Sequence, residues 1–280
     1  ATFNHLTISK NNVVMTPGVN INVLGNFTVK PDAWFTNNSG NTITVYGNAL
    51  FEASASGMAS FINNGTFNVT GTTTVQQYLT SQKWHLVSPP VTGATINAYY
   101  NTYLKEYNEP SNSWTYLYQP TTMPMNAGQG YSAWASDGLT GTTTILYTGS
   151  LTNSNVNLSG FSYSPVTNTT HYGFRLIGNP YPCAIDWNTS WPQTNLSGWA
   201  EIYDNGTYRG WHPTLGGYNG MTNGIIPSSQ GFWVRATSAA ATLTIPLSAR
   251  VHNAQAFYKD TQLSMYPIVR LNASGNGYTD

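Results

Sequence analysis

Gly25-Asn26-Phe27-Thr28-Val29 is echoed by Gly47-Asn48-Ala49-Leu50-Phe51 and again by Gly71-Thr72-Thr73-Thr74-Val75, at spacings of 22 and 24 residues. Between these strings lie Trp34-Phe35-Thr36-Asn37-Asn38-Ser39-Gly40 and Phe61-Ile62-Asn63-Asn64-Gly65. Each leads into an alternating segment, Thr42-Ile43-Thr44-Val45 and Thr66-Phe67-Asn68-Val69. Alternation of period two is the mark of a half-buried strand, and Asn and Gly suit corners that need positive φ. A period in the low twenties with such corners predicts a parallel β-solenoid over residues 1–80, about three coils stacked on one another. An antiparallel meander is the competing reading of the same strings.

Working outward, a second repeat of longer period begins near Gln82. Trp84-His85-Leu86-Val87-Ser88-Pro89-Pro90 resembles Phe174-Arg175-Leu176-Ile177-Gly178-Asn179-Pro180, and Glu106-Tyr107-Asn108, with Trp114 beyond it, resembles Ile202-Tyr203-Asp204, with Trp211 beyond it. Gly128-Gln129-Gly130-Tyr131-Ser132-Ala133-Trp134 resembles Ser229-Gln230-Gly231-Phe232-Trp233-Val234, and Thr142-Thr143-Thr144-Ile145 resembles Thr242-Leu243-Thr244-Ile245. The offsets, 90 to 101 residues, keep one order along the chain. They predict two related antiparallel β-sandwich units, 81–172 and 173–280, joined by internal duplication. Asp204-Asn205-Gly206-Thr207 reads as a tight hairpin, since Asn-Gly favours the type I′ turn. The expected fold class is therefore all-β, a short solenoid followed by two sandwiches.

Composition narrows the function. Only 7% of the 280 residues are charged, ten basic against ten acidic, so the net charge is zero; soluble proteins carry roughly 25%. No Lys/Arg cluster exists to neutralise phosphates, which argues against a nucleic-acid partner. No run of about 18 apolar residues is present, so no insertion into a membrane is expected. Asn and Thr make up about a quarter of the chain, and Cys183 stands alone without a disulfide partner. This neutral polar composition points to an extracellular or cell-surface setting.

The string Gly178-Asn179-Pro180-Tyr181-Pro182-Cys183-Ala184-Ile185-Asp186-Trp187, followed by Ser229-Gln230-Gly231-Phe232-Trp233, resembles a motif of secreted and cell-surface β-proteins of the Bacteroidota. The resemblance covers about residues 20–278. It implies surface exposure and an adhesive or matrix-like role, and export of the type IX kind, which uses a C-terminal sorting tail; the sequence ends at Tyr278-Thr279-Asp280 without one. The motif itself reads as structural, with Gly178, Asn179, Pro180, Tyr181, Pro182, Asp186 and Trp187 as its key positions, because proline fixes φ and Asn179 can close a turn. No catalytic residue is carried over.

Among functional residues, the carboxylates concentrate only at Glu106/Glu109 and Glu201/Asp204. Such duplicated acids fit turn chemistry better than the facing pair a glycosidase needs. No catalytic residue and no cofactor is expected, except that a structural calcium would draw on Asp186 or Asp204 with backbone oxygens. The histidines lack metal-ligand spacing. Aromatic residues crowd the second unit, and Trp and Tyr faces stack on sugar rings. Trp191, Trp211, Tyr208 and Tyr218 are the candidates for glycan contact, with Trp191-Pro192 and Trp211-His212-Pro213 read as exposed loops. The leading expectation is a non-enzymatic structural or adhesion protein. It would associate with copies of itself or neighbouring domains through the open solenoid edge, as a filament or layer. The alternatives are a carbohydrate-binding module for surface glycans and, third, a β-helix polysaccharide lyase or hydrolase.

Overall fold

Short β-branched and aromatic runs broken by Gly-Asn corners leave each strand too short to bury itself alone, so coils stack. In the computed structural model the first eleven strands are β1 (Thr2–Phe3), β2 (Leu6–Ile8), β3 (Val14–Met15), β4 (Ile21–Val23), β5 (Phe27–Val29), β6 (Trp34–Asn37), β7 (Thr42–Val45), β8 (Ala49–Phe51), β9 (Ser60–Asn63), β10 (Thr66–Val69) and β11 (Thr73–Tyr78). The structure describes residues 1–258 except 101, 119–121, 136–143, 189 and 205, together with the backbone of 274–275 and 278–279. Asn205 of the expected hairpin, Thr142-Thr143 of the fourth repeat match, and Asp280 lie outside the described residues.

The strands pair in parallel on three faces, β1-β4-β7-β10, β2-β5-β8-β11 and β3-β6-β9. The registers Phe27↔Ala49 and Ala49↔Thr73 reproduce the spacings of the sequence repeat, so the solenoid stands and the meander does not. Inward positions fill with five phenylalanines, Phe27, Phe35, Phe51, Phe61 and Phe67, whose neighbouring ring centroids lie 5.0 to 6.3 Å apart. The corner asparagines form a ladder. Asn26 Oδ1 accepts from the Asn48 amide at 3.0 Å, and Asn48 Oδ1 from the Thr72 amide at 2.8 Å. Glycine precedes each Asn because a Cβ at Gly47 would meet the Gly25 backbone at 2.6 Å.

The remaining chain forms β12 (Trp84–Val87), β13 (Val91–Thr92), β14 (Tyr103–Asn108), β15 (Ser113–Leu117), β16 (Tyr131–Trp134), β17 (Thr144–Thr148), β18 (Ser150–Leu151) and β19 (Val156–Leu158). It continues with β20 (Phe174–Gly178), β21 (Ala184–Asp186), β22 (Gln193–Thr194), β23 (Ala200–Asp204), β24 (Thr207–His212), β25 (Gly216–Tyr218), β26 (Ile225–Ile226), β27 (Gly231–Arg235), β28 (Thr242–Ile245) and β29 (Arg250–Val251). The first unit holds the antiparallel sheet β12-β16-β14-β15, and the second repeats that order as β20-β27-β23-β24, with β25 added. The expected hairpin is present, with Asp204 paired to Thr207 and Gly206 at φ 76°. No helix of the described residues is long and apolar enough to cross a membrane.

The solenoid and the first unit share one continuous core, running from Ile8 through Phe61 to Tyr131 and Tyr147. Strand β17 extends the solenoid sheet by pairing antiparallel with β11, Gln77 opposite Ile145. The second unit covers the β9 edge: Pro182 O accepts from the Phe61 amide, and Arg250 donates to Asn63 O and Asn64 Oδ1, each at 2.8 Å. A buried polar node joins all three parts. Gln77 donates to Ser229 O at 3.0 Å and accepts from the Tyr147 hydroxyl at 2.7 Å, while the Tyr99 and Tyr147 hydroxyls bond each other.

His252 straps the C-terminal segment to the solenoid. Its two ring nitrogens bond Thr36 Oγ1 and Ser60 Oγ at 2.8 Å, and the ring stacks on Trp34 at 5.6 Å. Burial lowers its pKa to about 4. The unfolded chain therefore binds the extra proton first, so stability is complete above the ordinary histidine pKa of about 6.5 and falls as pH drops towards 4. Because the ring is only partly buried, solvent screening keeps the loss to roughly 1–2 kcal/mol. Thermal unfolding compared at pH 7 and pH 4.5 should show it, with a shallower acid limb in His252→Gln.

Candidate functional site

Strict alternation along the two equivalent sheets sends neighbouring residues to opposite faces. Val87, Leu104 and Ala133 point into the first core, and Ile177, Ile202 and Phe232 into the second. Leu86, Leu176 and Trp233 form a separate cluster where the opposite faces of the two units meet. The Gly-Gln-Gly and Ser-Gln-Gly strings dock this seam reciprocally. Gly178 N–H donates to Gly128 O at 3.0 Å, and at the equivalent place Ser88 N–H donates to Ser229 O at 2.9 Å. Gly128 and Ser229 both hold left-handed φ, 79° and 59°. The bridges Gln129↔Ile177 and Val87↔Gln230 complete a contact in which each repeat presents the same elements to the other, the pattern of an isologous interface within one chain.

Where the seam opens, it leaves an aromatic cleft. Trp233 lies at its centre, edge-on to Tyr107 (4.9 Å), Trp114 (5.8 Å) and Phe174 (6.3 Å). Trp114, Tyr208 and Trp233 line two adjoining hollows, of about 340 and 230 Å³. Trp114 corresponds in the repeats to Tyr208 and not to Trp211, since Tyr107 and Tyr203 pair across their hairpins with Trp114 and Tyr208; the two are 37% and 48% exposed. Polar groups rim the rings. The larger hollow adds Asn112, His171 and Glu201, and the smaller adds Lys105 and Ser132. Burial raises the Glu201 pKa, opposed by its hydrogen bond with Tyr218. Burial likewise lowers that of Lys105, whose Nζ sits 3.6 Å over the Trp84 ring. The Trp233 Nε1–H is buried and has no hydrogen-bond partner among the described residues.

The sequence candidates fall differently. Tyr208 is on the cleft wall and Tyr218 borders it through Glu201. Trp191 is not an exposed loop residue: it is 3% exposed, its Nε1–H donates to Asp186 O at 2.8 Å, and its ring packs 4.6 Å from Trp187. Trp211 is not in a loop either; it ends within β24, half-buried against the second core and outside the cleft lining. Asp186 and Asp204 lie on different sheets. Asp186 accepts from Asn188 at 3.2 Å, and Asp204 faces Arg209 Nε at 3.2 Å. The described residues hold no group of three or more His, Cys, Asp or Glu placed for a metal. Glu109 is buried, and its carboxylate accepts from the Ser164 and Gly173 amides at 3.0 and 2.7 Å, which fixes a loop.

The Gly178–Trp187 motif is scaffold. A Cβ at Gly178 would sit 2.1 Å from Ser88 Cβ. Asn179 Nδ2 reaches Cys183 O, Ile226 O and Pro227 O at 2.8 to 3.2 Å, and Oδ1 accepts from the Tyr181 amide at 3.0 Å. The Tyr181 hydroxyl is 2.8 Å from Ile245 O, and Trp187 Nε1–H donates to Gly198 O at 2.9 Å. Burial pushes the Cys183 thiol up to about 12, which keeps it protonated and inert. Sequence reasoning missed Trp114, Trp233, Tyr107 and Phe174. The available signal was their alternation with the core residues once the two repeats are aligned. Comparison of the chain with protein-family models, with curated proteins and with solved structures found no match.

Proposed function

We propose that this is a secreted or cell-surface structural and adhesion protein of the Bacteroidota kind, and that the first coil of its solenoid joins it to a second copy. The observation that carries this reading is the state of that coil. Among the described residues, strands β1, β2 and β3 each end a sheet with no strand paired on their outer side. None of the three strands contains a charged residue or proline, the devices that normally blunt an edge. Phe3, Val13, Val14, Met15, Val19 and Leu24 around them are 38 to 55% exposed. The opposite end is covered on two faces by β17 and by the Pro182 and Arg250 contacts. Two copies therefore meet most readily first coil to first coil, as a closed pair. The neutral surface adds little repulsion to oppose it.

Sedimentation velocity tests the proposal. The wild-type chain is expected to dimerise with rising concentration, and Val14→Lys with Met15→Lys to stay monomeric with unchanged thermal stability. A wild-type chain that is monomeric at its highest soluble concentration contradicts it. A second reading, carbohydrate binding, is favoured by the aromatic cleft at the seam.

A further inference from the structure

We infer that the seam between the two repeats is a binding site for a neutral oligosaccharide, with Trp114 and Tyr208 as stacking platforms. The inference rests on the carbohydrate-binding reading and gives it a different site from the one the sequence suggested. Four observations converge on it. The duplication places an exposed aromatic ring at the same position of each unit, and both rings line both hollows. The faces of pyranose rings are apolar C–H surfaces that pack on such rings, while their edges carry hydroxyls. Around the platforms stand Asn112, His171, Glu201 and Ser132, able to exchange hydrogen bonds with those hydroxyls.

Charge selects the ligand class. One cation, Lys105, and one carboxylate, Glu201, offset each other within the lining, and the Lys105 ammonium is already engaged by Trp84 and Tyr116. Neither a uronate-rich chain nor an amino sugar polymer finds a matching field, whereas an uncharged glycan needs none. The fourth observation is that the two adjoining hollows share three rings, which fits consecutive sugar units of a chain better than a single monosaccharide.

The test is isothermal titration calorimetry with cellohexaose, xylohexaose, mannohexaose and maltohexaose, and with oligogalacturonate as the charged comparison. At least one neutral hexasaccharide is expected to bind. Trp114→Ala and Tyr208→Ala should each weaken it about tenfold, the worth of one lost stacking contact, while Trp114→Phe retains most of the affinity and Trp211→Ala all of it. Unfolding temperature checks that the exposed-residue variants remain folded. Binding that survives Trp114→Ala and Tyr208→Ala overturns this site while leaving carbohydrate binding standing. Heat only with oligogalacturonate overturns the neutral-ligand inference while leaving carbohydrate binding standing, and no heat with any of the oligosaccharides overturns both.

Discussion

Asn179→Ala is expected to destabilise the protein by roughly 3–5 kcal/mol, because one truncation strands several buried polar groups. Asn179 is fully buried. Its two amide hydrogens are shared among the carbonyls of Cys183, Ile226 and Pro227, and its oxygen holds the Tyr181 amide; Pro227 O keeps its bond from the Gln230 amide, so up to three backbone groups lose a partner together. Each orphaned buried group costs on the order of 1–3 kcal/mol, with the total below the simple sum because the site relaxes. The midpoint of thermal unfolding should fall by about 10 °C. Asn179→Asp should do no better, since it removes the donors and buries a charge. A fall of only a degree or two would show that the motif's asparagine is not the pin that holds the Tyr181 turn against β26.

Gly130→Ala and Gly231→Ala are expected to be nearly as damaging, at roughly 3 kcal/mol each, through overpacking against rigid backbone. A Cβ on Gly130 would sit 2.4 Å from Ile177 O, and one on Gly231 would sit 2.8 Å from the Leu86 carbonyl carbon and the Val87 nitrogen. Neither neighbour is a flexible side-chain tip, so the repeats must move apart. Gly18→Ala, with nothing within 4 Å, is the matched control and should leave stability unchanged. Calorimetric unfolding measures the loss. Since the same docking forms the cleft, intrinsic tryptophan emission from Trp114 and Trp233 should shift to longer wavelength in the two seam variants alone.

The solenoid was legible because its corners act locally. Gly-Asn recurs at two successive corners, for glycine's small size and for the amide ladder, so Gly25-Asn26 and Gly47-Asn48 are spaced at the distance the strands pair. The repeated sheet order was legible for a similar reason, since Gly128-Gln129-Gly130 and Ser229-Gln230-Gly231 meet one reciprocal steric demand. Burial of individual aromatics was not. Trp191 precedes a proline in polar surroundings, yet Trp187 and the Asp186 carbonyl draw it into the core. Trp114 has an equally polar setting, Ser113 on one side and Thr115 on the other, and it faces the cleft. What separates them is the packing of one sheet on another, and no local pattern encodes that. The sharing of one core by the solenoid and the first unit was hidden likewise, because β17 reaches β11 across some seventy residues of chain.

Low charge would take on a physical role if the proposed association holds, because that pairing would rest on an unguarded strand edge and a surface without repulsion. Negative-stain electron microscopy of the purified chain tests that most directly. The prediction is paired particles joined at their slender solenoid tips, with the bulkier sandwich ends facing outward, and single particles for Val14→Lys with Met15→Lys. Isolated particles for the wild type, or pairs joined through the sandwich ends, would contradict it.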